Sequence, residues 1–271
     1  MFEKNSVIGN TPMIKLYYEV SGKIKYIYTK LEYYNLTGSI KDRVAYYIID
    51  KAKKDGILKE NIPIIEATSG NTGISLSAIG TYYNHPVYIF MPDWVSNERV
   101  SIMKSYGAEV RLISKEQGGF AKCVEEAKAL AKEKNGFCAN QFSNKNNFLA
   151  HYETTAEEII SDLPEEIYGF VSGVGTGGTL MGTGTRLKKE YPELKVVAIE
   201  PDKMPIMSTG KIIANHKIEG IGDEFVPDLV DKSKIDDIIL VNDDDAINMS
   251  RRIAKELGIG VRYFIWCKFN R

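Results

Sequence analysis

The chain lacks the features that mark membrane-spanning, disulfide-rich and nucleic-acid-binding proteins. No apolar run approaches the roughly 20 residues of a membrane-spanning helix, and the first residues show no signal-peptide core. Cys123, Cys138 and Cys267 have neither the number nor the spacing of a disulfide framework or a zinc site. Lysine and arginine number 35 against 36 acidic residues, so no basic excess is available to neutralise phosphates. We therefore expect a cytoplasmic protein with no metal, no membrane and no nucleic acid as partner.

What the sequence does contain is an alternation of short β-branched runs with longer amphipathic stretches. With 271 residues, 44% of them hydrophobic, the chain can form one large α/β domain or two smaller ones. The alternation is typical of mostly parallel sheets with helices on both faces, where ligands bind beyond the carboxyl ends of the strands. The predicted strands are Tyr26–Leu31, Ile62–Glu66, Val87–Met91, Glu109–Ile113, Ile167–Val171, Lys195–Ile199 and Ile238–Val241. The predicted helices are Ser39–Lys54, Thr72–Tyr83, Asn97–Tyr106, Gly119–Lys134, Asn146–Ser161, Gly178–Lys189 and Asp244–Leu257.

Three loops of this pattern are candidates for chemistry, and the first places a lysine at the start of a helix. Gly38 lies in the turn before the helix, and Lys41 follows between the apolar residues Ile40 and Val44. Desolvation and nearby helix-terminus amides favour the uncharged, nucleophilic form of a lysine amine in such a place. A solvated helix lysine is the alternative.

The second loop, Glu66–Gly73, joins a predicted strand to a predicted helix. Its two glycines allow another backbone or a ligand to approach closely. Its hydroxyls and the amides at the helix start form a nest suited to a carboxylate. Serine, threonine and asparagine also cap helices, so an ordinary strand-to-helix turn is the alternative.

The third loop, Ser172–Leu180, is so rich in glycine that we interpret it as a phosphate cradle. Free backbone amides, a helix dipole and a threonine hydroxyl all favour an anion there. No Gly-Lys-Ser/Thr follows, so the loop is not a Walker A motif. Gly173, Gly175 and Gly178 match the dinucleotide pattern, and Glu200 ends the next strand where that pattern places an acid. A nicotinamide or flavin dehydrogenase is therefore the rival hypothesis from this loop alone.

Five motifs in register carry a resemblance to one enzyme family. They are TGSIKDR around Lys41, SGNTG at 69–73, NQFSN around Gln141, GVGTGGT at 173–179 and the segment Glu219–Gly222. In order and spacing they resemble cysteine synthase and its relative cystathionine β-synthase, over the chain up to about Val261. The opening segment Ile8–Pro12 also resembles that family. A dehydrogenase has no need of Lys41 and the SGNTG loop together, so the resemblance decides against the rival hypothesis.

The resemblance implies the tryptophan-synthase-β type of pyridoxal-phosphate fold. This is an α/β fold of two three-layer subdomains with mostly parallel sheets, and the active site lies between them. The smaller subdomain is expected at about 32–142, inserted in a larger one formed by 1–31 and 143–261. Enzymes of this type are normally homodimers, so we expect a homodimer here.

The resemblance also assigns roles to single residues. Lys41 would hold pyridoxal phosphate as a Schiff base, and Asn71 would bind the hydroxyl of the cofactor ring. Gly220 and Gly222 would border the ring and the incoming nucleophile. The cofactor phosphate is expected on Gly175, Thr176, Gly177, Gly178 and Thr179. The carboxylate of the amino-acid substrate is expected on Thr68, Ser69, Gly70, Thr72 and Gln141.

The implied reaction is a β-replacement, the work of a transferase or lyase. Lys41 removes the α-proton, a group leaves the β-carbon, and a nucleophile adds there. For the family this is O-acetylserine plus sulfide giving cysteine plus acetate. The cystathionine β-synthase type of reaction and an inactive binding protein with this fold are alternatives.

Asp223 raises a further alternative, because cysteine synthases usually carry a small or uncharged residue at this place. A carboxylate there would repel hydrosulfide and could act as a general base toward water. The reaction would then be cysteine plus water giving serine plus hydrogen sulfide. A solvated turn aspartate beside Glu224 is the alternative for this residue.

The chain departs from its family after Val261. The relatives continue there with Gly-Ile-Ser-Ser-Gly-Ala-Asn, whose serine binds the pyridine nitrogen, whereas this chain reads RYFIWCKFNR. Placing one extra A before the family-like codons GGT ATT TCA TCT GGT GCA AAT TTA gives AGG TAT TTC ATC TGG TGC AAA TTT. The shifted codons encode Arg262 to Phe269. We therefore expect 262–271 to be an out-of-frame tail, with a lineage-specific tail as the alternative.

We predict that resequencing the gene across the codons for Gly260 to Tyr263 will find one base fewer than this protein sequence requires. Correcting the frame should raise turnover by a large factor, because the serine at the ring nitrogen returns together with the closing elements of the domain. The measurement is steady-state turnover of both chains at matched cofactor occupancy. An unchanged base count with equal turnover would show that the tail is native.

Overall fold

The computed structural model describes residues 7–163 and 165–260, so the predicted tail at 262–271 lies outside the described residues. The chain divides into two compact units. Unit 1 comprises Met1–Thr11 and Glu32–Ala150, and unit 2 comprises Pro12–Leu31 and His151–Arg271. The subdomain borders expected from the family resemblance stay a prediction.

Strands and helices alternate along most of the chain. The strands are β1 (Met13–Val20), β2 (Lys23–Lys30), β3 (Ile64–Ala67), β4 (Val87–Pro92), β5 (Glu109–Ile113), β6 (Phe137–Cys138), β7 (Gly169–Gly173), β8 (Lys195–Pro201) and β9 (Asp237–Val241). The helices are α1 (Lys41–Lys54), α2 (Asn71–Tyr82), α3 (Asn97–Ser105), α4 (Gly119–Glu133), α5 (Lys145–Ala150), α6 (Ala156–Asp162), α7 (Gly178–Glu190), α8 (Ile206–Thr209) and α9 (Asp243–Leu257). In the described part of the chain, no helix is both long and apolar enough to cross a bilayer.

Unit 1 is built on a parallel sheet in the order β5-β4-β3-β6. Successive residues of a strand point to opposite faces, so a strand buried on both faces is apolar throughout. Ile64 and Ile89 pack into a core with α1 and α2, whereas Ile65 and Phe90 pack against α4. Two cores therefore flank one sheet, and the α/β fold with parallel sheets that the sequence predicted is confirmed.

Unit 2 contains a parallel sheet in the order β7-β8-β9 and a separate antiparallel pair of β1 with β2. The predicted strand Tyr26–Leu31 overlaps β2, but it belongs to this hairpin and not to a parallel sheet. Ser21 and Gly22 join the two strands with φ of 51° and 74°. Two left-handed residues in succession suit the tight turns that connect antiparallel strands. The Ser-Gly pair was the signal for this hairpin, and the sequence interpretation missed it together with β1.

The predicted helix Asn146–Ser161 is interrupted. The chain forms α5, then a π-helical turn at His151–Thr155, and then α6. The turn buries His151 and Thr155. Hydrophobic periodicity does not distinguish a π-helical turn from α-helix, so the sequence could not reveal the interruption.

Two of the three loops singled out from the sequence lie at the carboxyl ends of parallel strands. Residues 68–70 connect β3 to α2, and residues 174–177 connect β7 to α7. In parallel α/β sheets this edge is where ligands bind, because the following helices point their amino-terminal ends toward it. The fold therefore presents each of these two loops, within its own unit, in the arrangement that anion binding requires.

Candidate functional site

Lys41 is the first residue of α1, and its neighbour Asp42 fixes the turn that precedes the helix. The Asp42 carboxylate accepts hydrogen bonds from the backbone N–H and the hydroxyl of Thr37, both at 2.6 Å. Burial raises the pKa of Asp42, and hydrogen bonds from Ser75 and Thr37 offset part of that effect. Because Ser75 lies in α2, the same carboxylate links the start of α1 to the helix that follows the second loop.

Arg43 and Asn35 hold the other side of this turn. The Arg43 guanidinium donates two hydrogen bonds to the carboxylate of Glu32, at 2.7 and 2.9 Å. The Asn35 side chain donates to the backbone carbonyl of Glu32 at 2.7 Å and accepts from the backbone N–H of Gly9 at 2.8 Å. Charged and polar contacts of this kind make the turn rigid, so the point at which the Lys41 side chain leaves the backbone is fixed.

The second loop meets a residue that a separate motif had singled out. The hydroxyl of Thr72 donates to the side-chain oxygen of Gln141 at 2.5 Å, and both residues are buried. Within the loop, the hydroxyl of Thr68 accepts a hydrogen bond from the backbone N–H of Gly70 at 3.2 Å. Asn71 begins α2. The fold thus brings Gln141 to the loop whose hydroxyls and amides are suited to a carboxylate.

Glu66 connects these two segments, and the sequence analysis did not assign it to the site. It lies buried in β3, where one carboxylate oxygen accepts from the Ala67 N–H at 3.0 Å and the other from the Gln141 N–H at 3.4 Å. Burial raises the pKa of Glu66 to about 7, although these hydrogen bonds oppose the rise. The available signal was an acidic residue at the end of an otherwise apolar strand.

Arg99 brings positive charge to the same loop. Its guanidinium donates to the backbone carbonyl of Ser69 at 3.3 Å. A Cβ at Gly70 would lie 3.5 Å from that guanidinium, in ordinary van der Waals contact, so the two groups are close neighbours. Arg99 belongs to α3, at a distance along the chain from every motif, and nothing in the sequence pointed to its place beside the loop.

The glycine loop of unit 2 has a backbone conformation and helix amides that suit a phosphate. A Cβ at Gly175 would collide with the carbonyl oxygen of Gly220, and a Cβ at Gly177 would lie 2.6 Å from Val230. Gly177 also has a φ of 84°, which favours glycine. The first turn of α7 contains no acidic residue, and the first amides of a helix have no carbonyl partner within it. The loop therefore fits the phosphate of a cofactor.

Thr179, at the end of this loop, contacts the π-helical turn. Its hydroxyl lies 3.1 Å from Nε2 of His151, whose Nδ1 lies 2.9 Å from the hydroxyl of Thr155. The sequence showed no partner for His151, because the contact joins residues 28 positions apart. The buried imidazole holds the Thr179 hydroxyl at a defined place beside the glycine loop.

The segment Gly220–Gly222 lies against the same loop. The N–H of Gly222 donates to the carbonyl of Val174 at 2.9 Å, one residue before Gly175. Gly220 and Gly222 have φ of 86° and 72°. Asp223 follows directly and is half-buried. Within unit 2, the fold brings together the two segments that the sequence assigned to the phosphate and to the incoming nucleophile.

Glu200, the acid required by the dinucleotide hypothesis, has a structural role in this fold. Its two carboxylate oxygens accept hydrogen bonds from the N–H groups of Met207 and Ser208, at 2.8 and 3.0 Å. The residue is buried, and it caps the start of α8. A carboxylate engaged in this way is poorly placed to bind a ribose, so the structure counts against a dinucleotide site.

The sequence itself places the chain in a class. Residues 5–263 match the model of a family described as pyridoxal-phosphate dependent enzyme. The chain therefore belongs to this family of pyridoxal-phosphate-dependent enzymes. The rigid lysine-bearing turn and the glycine loop fit that cofactor.

Within the family, the similar proteins are cysteine synthases and related enzymes. A cysteine synthase of Staphylococcus aureus (strain Mu50 / ATCC 700699) is 41% identical over 254 residues, which cover 93% of this chain and 81% of that protein. A probable cysteine synthase of Bacillus subtilis (strain 168) is 39% identical over 257 residues, which cover 93% and 82%. The chain is thus an enzyme of the cysteine synthase type.

A solved structure adds a second activity to this group. The hydrogen sulfide-producing enzyme from Fusobacterium nucleatum is 46% identical, with a TM-score of 0.93, over 96% of this chain and 78% of that chain. An Asp-to-Asn variant of that enzyme, solved in complex with an α-aminoacrylate intermediate, has a TM-score of 0.92 at the same identity over 96% of this chain and 79% of that chain.

We predict that Glu66 makes the unfolding free energy fall between about pH 5 and pH 7. Burial raises its pKa from 4.5 to about 7, so in this range the folded chain keeps a proton that the unfolded chain loses. The stabilisation is complete at acid pH and is lost as the pH rises, with a size on the order of 3 kcal/mol. Glu66→Gln is neutral at every pH, and urea unfolding at several pH values should show this slope removed. Parallel pH profiles for the two proteins would contradict the prediction.

Proposed function

We propose that this chain catalyses a β-replacement on L-cysteine in which water takes the place of the thiol. The products are serine and hydrogen sulfide. The observation that carries the proposal is Asp223, which directly follows a glycine hydrogen-bonded to the edge of the glycine loop. A carboxylate there repels hydrosulfide and can take a proton from water. The similarity to an enzyme described as hydrogen sulfide-producing supports the same direction of reaction.

Pyridoxal phosphate supplies an electron sink for the pair left on the substrate α-carbon. Lys41 would hold it through the side-chain amine, and Asn71 would bind its ring hydroxyl. The residues from Gly175 to Thr179 would hold its phosphate. Two features support this assignment: side chains at Gly175 or Gly177 would collide with Gly220 and Val230, so the loop requires glycine there, and the first turn of α7 contains no acidic residue.

The substrate carboxylate would bind the second loop, on Thr68, Ser69, Gly70, Thr72 and Gln141. The hydrogen bond between Thr72 and Gln141 supports the assignment, because it joins two segments that are distant along the chain into one binding surface. The guanidinium of Arg99 beside Ser69 adds the positive charge that a carboxylate requires. Glu66 lies behind this surface and joins its two segments.

The protein side chains would then divide the proton transfers between them. The Lys41 amine takes the α-proton, the bond from the β-carbon to sulfur breaks, and sulfur leaves as hydrosulfide. The oxygen of water bonds to the β-carbon while Asp223 accepts one of its protons. Lys41 returns a proton to the α-carbon, and the proton on Asp223 balances the hydrosulfide. The net change is cysteine plus water giving serine plus hydrogen sulfide.

Cysteine synthesis from O-acetylserine and sulfide is the second candidate. The curated relatives at 41% and 39% identity favour it, because both are named as cysteine synthases. Gly220 and Gly222 would border the nucleophile in either reaction. Homodimer assembly and a cytoplasmic location are also part of the proposal, and light scattering and cell fractionation test them.

We predict that Lys41 is the lysine that holds the cofactor. Borohydride reduction of the yellow holoenzyme, followed by peptide mass spectrometry, should find the pyridoxyl adduct on Lys41. Lys41→Ala should remain folded and carry no adduct, because the resemblance to cysteine synthase places the Schiff base on Lys41 alone. An adduct on a different lysine would overturn the assignment.

We predict that Asp223→Asn slows serine formation from cysteine by roughly a hundredfold, because a general base contributes about that much. Sulfide release in a single turnover should be largely unchanged, since only the addition of water needs the base. Glu224→Gln, which removes the neighbouring exposed carboxylate, is the matched control and should retain serine formation. The 271-residue chain and its frame-corrected form are measured side by side.

The outcome also separates the candidate functions. Unchanged serine formation in Asp223→Asn would show that Asp223 is a solvated turn aspartate and not the general base. Cysteine formation from O-acetylserine, with little serine from cysteine, would then favour the second candidate. No turnover with any donor, in either reading frame, would favour an inactive binding protein.

A further inference from the structure

His216 contacts the segment that leads to Asp223, and no role has been given to it so far. Its Nε2 lies 2.9 Å from the carbonyl oxygen of Gly222. A carbonyl oxygen only accepts hydrogen bonds, so Nε2 must carry the hydrogen and donate it. The other ring nitrogen, Nδ1, is buried and has no hydrogen-bond partner among the described residues. Among the described residues, the His216 ring therefore makes its hydrogen bond through Nε2, to the carbonyl of Gly222.

The backbone beneath the ring is held in place. The N–H of Lys217 donates to Asp243 at 2.9 Å, and Asp243 is buried at the start of α9. The Asp243 carboxylate also accepts a hydrogen bond from Lys203 at 2.7 Å. Next along the chain, the buried Ile218 packs in a small core with Ile221 and Ala246. The imidazole thus projects from a part of the loop that α9 fixes.

Gly222 is held from two sides. Its N–H donates to Val174 and its carbonyl accepts from His216. A Cβ at this residue would lie 2.7 Å from Pro201 and 2.9 Å from Nε2 of His216, so any other residue would push the ring away. The backbone at Gly222 is confined both by hydrogen bonds and by space.

The carbonyl of Gly222 determines how Asp223 is presented. A peptide unit is planar, so the oxygen of residue 222 and the N–H and Cα of residue 223 lie in one plane. Holding that oxygen fixes the plane, and with it the position of the Asp223 Cα from which the side chain begins. Without the hydrogen bond from His216, the peptide could rotate and carry the carboxylate with it.

We propose that His216 is a positioning residue for Asp223, acting through the carbonyl of Gly222. The inference rests on the proposed function, because it concerns the residue that takes the proton from water. It assigns a role in the second half of the reaction to a histidine that touches neither substrate nor cofactor. Its contribution is to keep the carboxylate where the incoming water can reach it.

The substitutions His216→Gln and His216→Asn introduce the same amide group on side chains of different length. Glutamine places an amide nitrogen as many bonds from Cβ as Nε2 of histidine, so His216→Gln can still donate to Gly222. Asparagine places its amide nitrogen at the position of Nδ1, so His216→Asn cannot reach that carbonyl. Both are polar and smaller than histidine, so a general effect of losing the ring would appear equally in both.

We expect His216→Asn to slow serine formation by roughly tenfold to a hundredfold, as misplacement of a reacting group does. Sulfide release in a single turnover should be unchanged, and His216→Gln should restore most of the rate. Combining His216→Asn with Asp223→Asn should cost no more than Asp223→Asn alone, because one acts through the other. His85→Asn serves as a control, since His85 also contacts a backbone carbonyl, that of Ile62, and should leave the rate unchanged.

The holoenzyme is used in the reading frame that resequencing establishes. Equal serine formation in His216→Asn and the parent, or a full additional loss in the combined variant, would overturn the proposal. Failure of the proposed function shows differently, as an unchanged rate in Asp223→Asn. Hydrogen exchange of residues 220–223 then decides: faster exchange in His216→Asn but not in His216→Gln supports the hold on the peptide, and equal exchange in all three proteins overturns it.

Discussion

The hydrogen bond from the N–H of Gly222 to the carbonyl of Val174 is the interaction on which the site in unit 2 depends. It brings a second stretch of backbone so close to the glycine loop that Gly175 has no room for a side chain. Glycines at the points of contact let the two segments lie against each other, which residues with side chains at those points would prevent. The glycines of the two motifs therefore meet the same requirement, which is that the two backbone segments lie in close contact.

Unit 1 obtains the same rigidity in a different way, by burying acidic groups. Asp42 and Glu66 both lose hydration, and burial raises the pKa of each carboxyl. In return, each accepts hydrogen bonds that join a loop to a neighbouring element. An ionised carboxyl group in such a place lowers the stability of the fold, and its hydrogen bonds hold the loop in one conformation. A preordered site of this kind favours binding, because little free energy is lost in ordering the loops when the ligand binds.

The sequence predicted those parts of the molecule whose structure depends on residues that are neighbours along the chain. Strands buried on both faces appear as continuous apolar runs, and the anion-binding loops appear as clusters of glycine and hydroxyl residues, so both were predicted. The hairpin of β1 and β2 was missed because its turn is signalled by only two residues. Glu66, Arg99 and His151 were missed for a different reason. Their partners are distant along the chain, and a contact of that kind exists only once the backbone has folded.

The hairpin turn at Ser21 and Gly22 has a practical consequence. Both residues are exposed, and a side chain at Gly22 would meet nothing within 4 Å. The turn closes a sheet that is separate from the parallel sheet beside the glycine loop. Extra residues placed there would extend into solvent without breaking the pairing of the strands on either side. This turn is therefore a suitable position for a reporter peptide or an affinity tag inside the chain, with no change at either chain terminus.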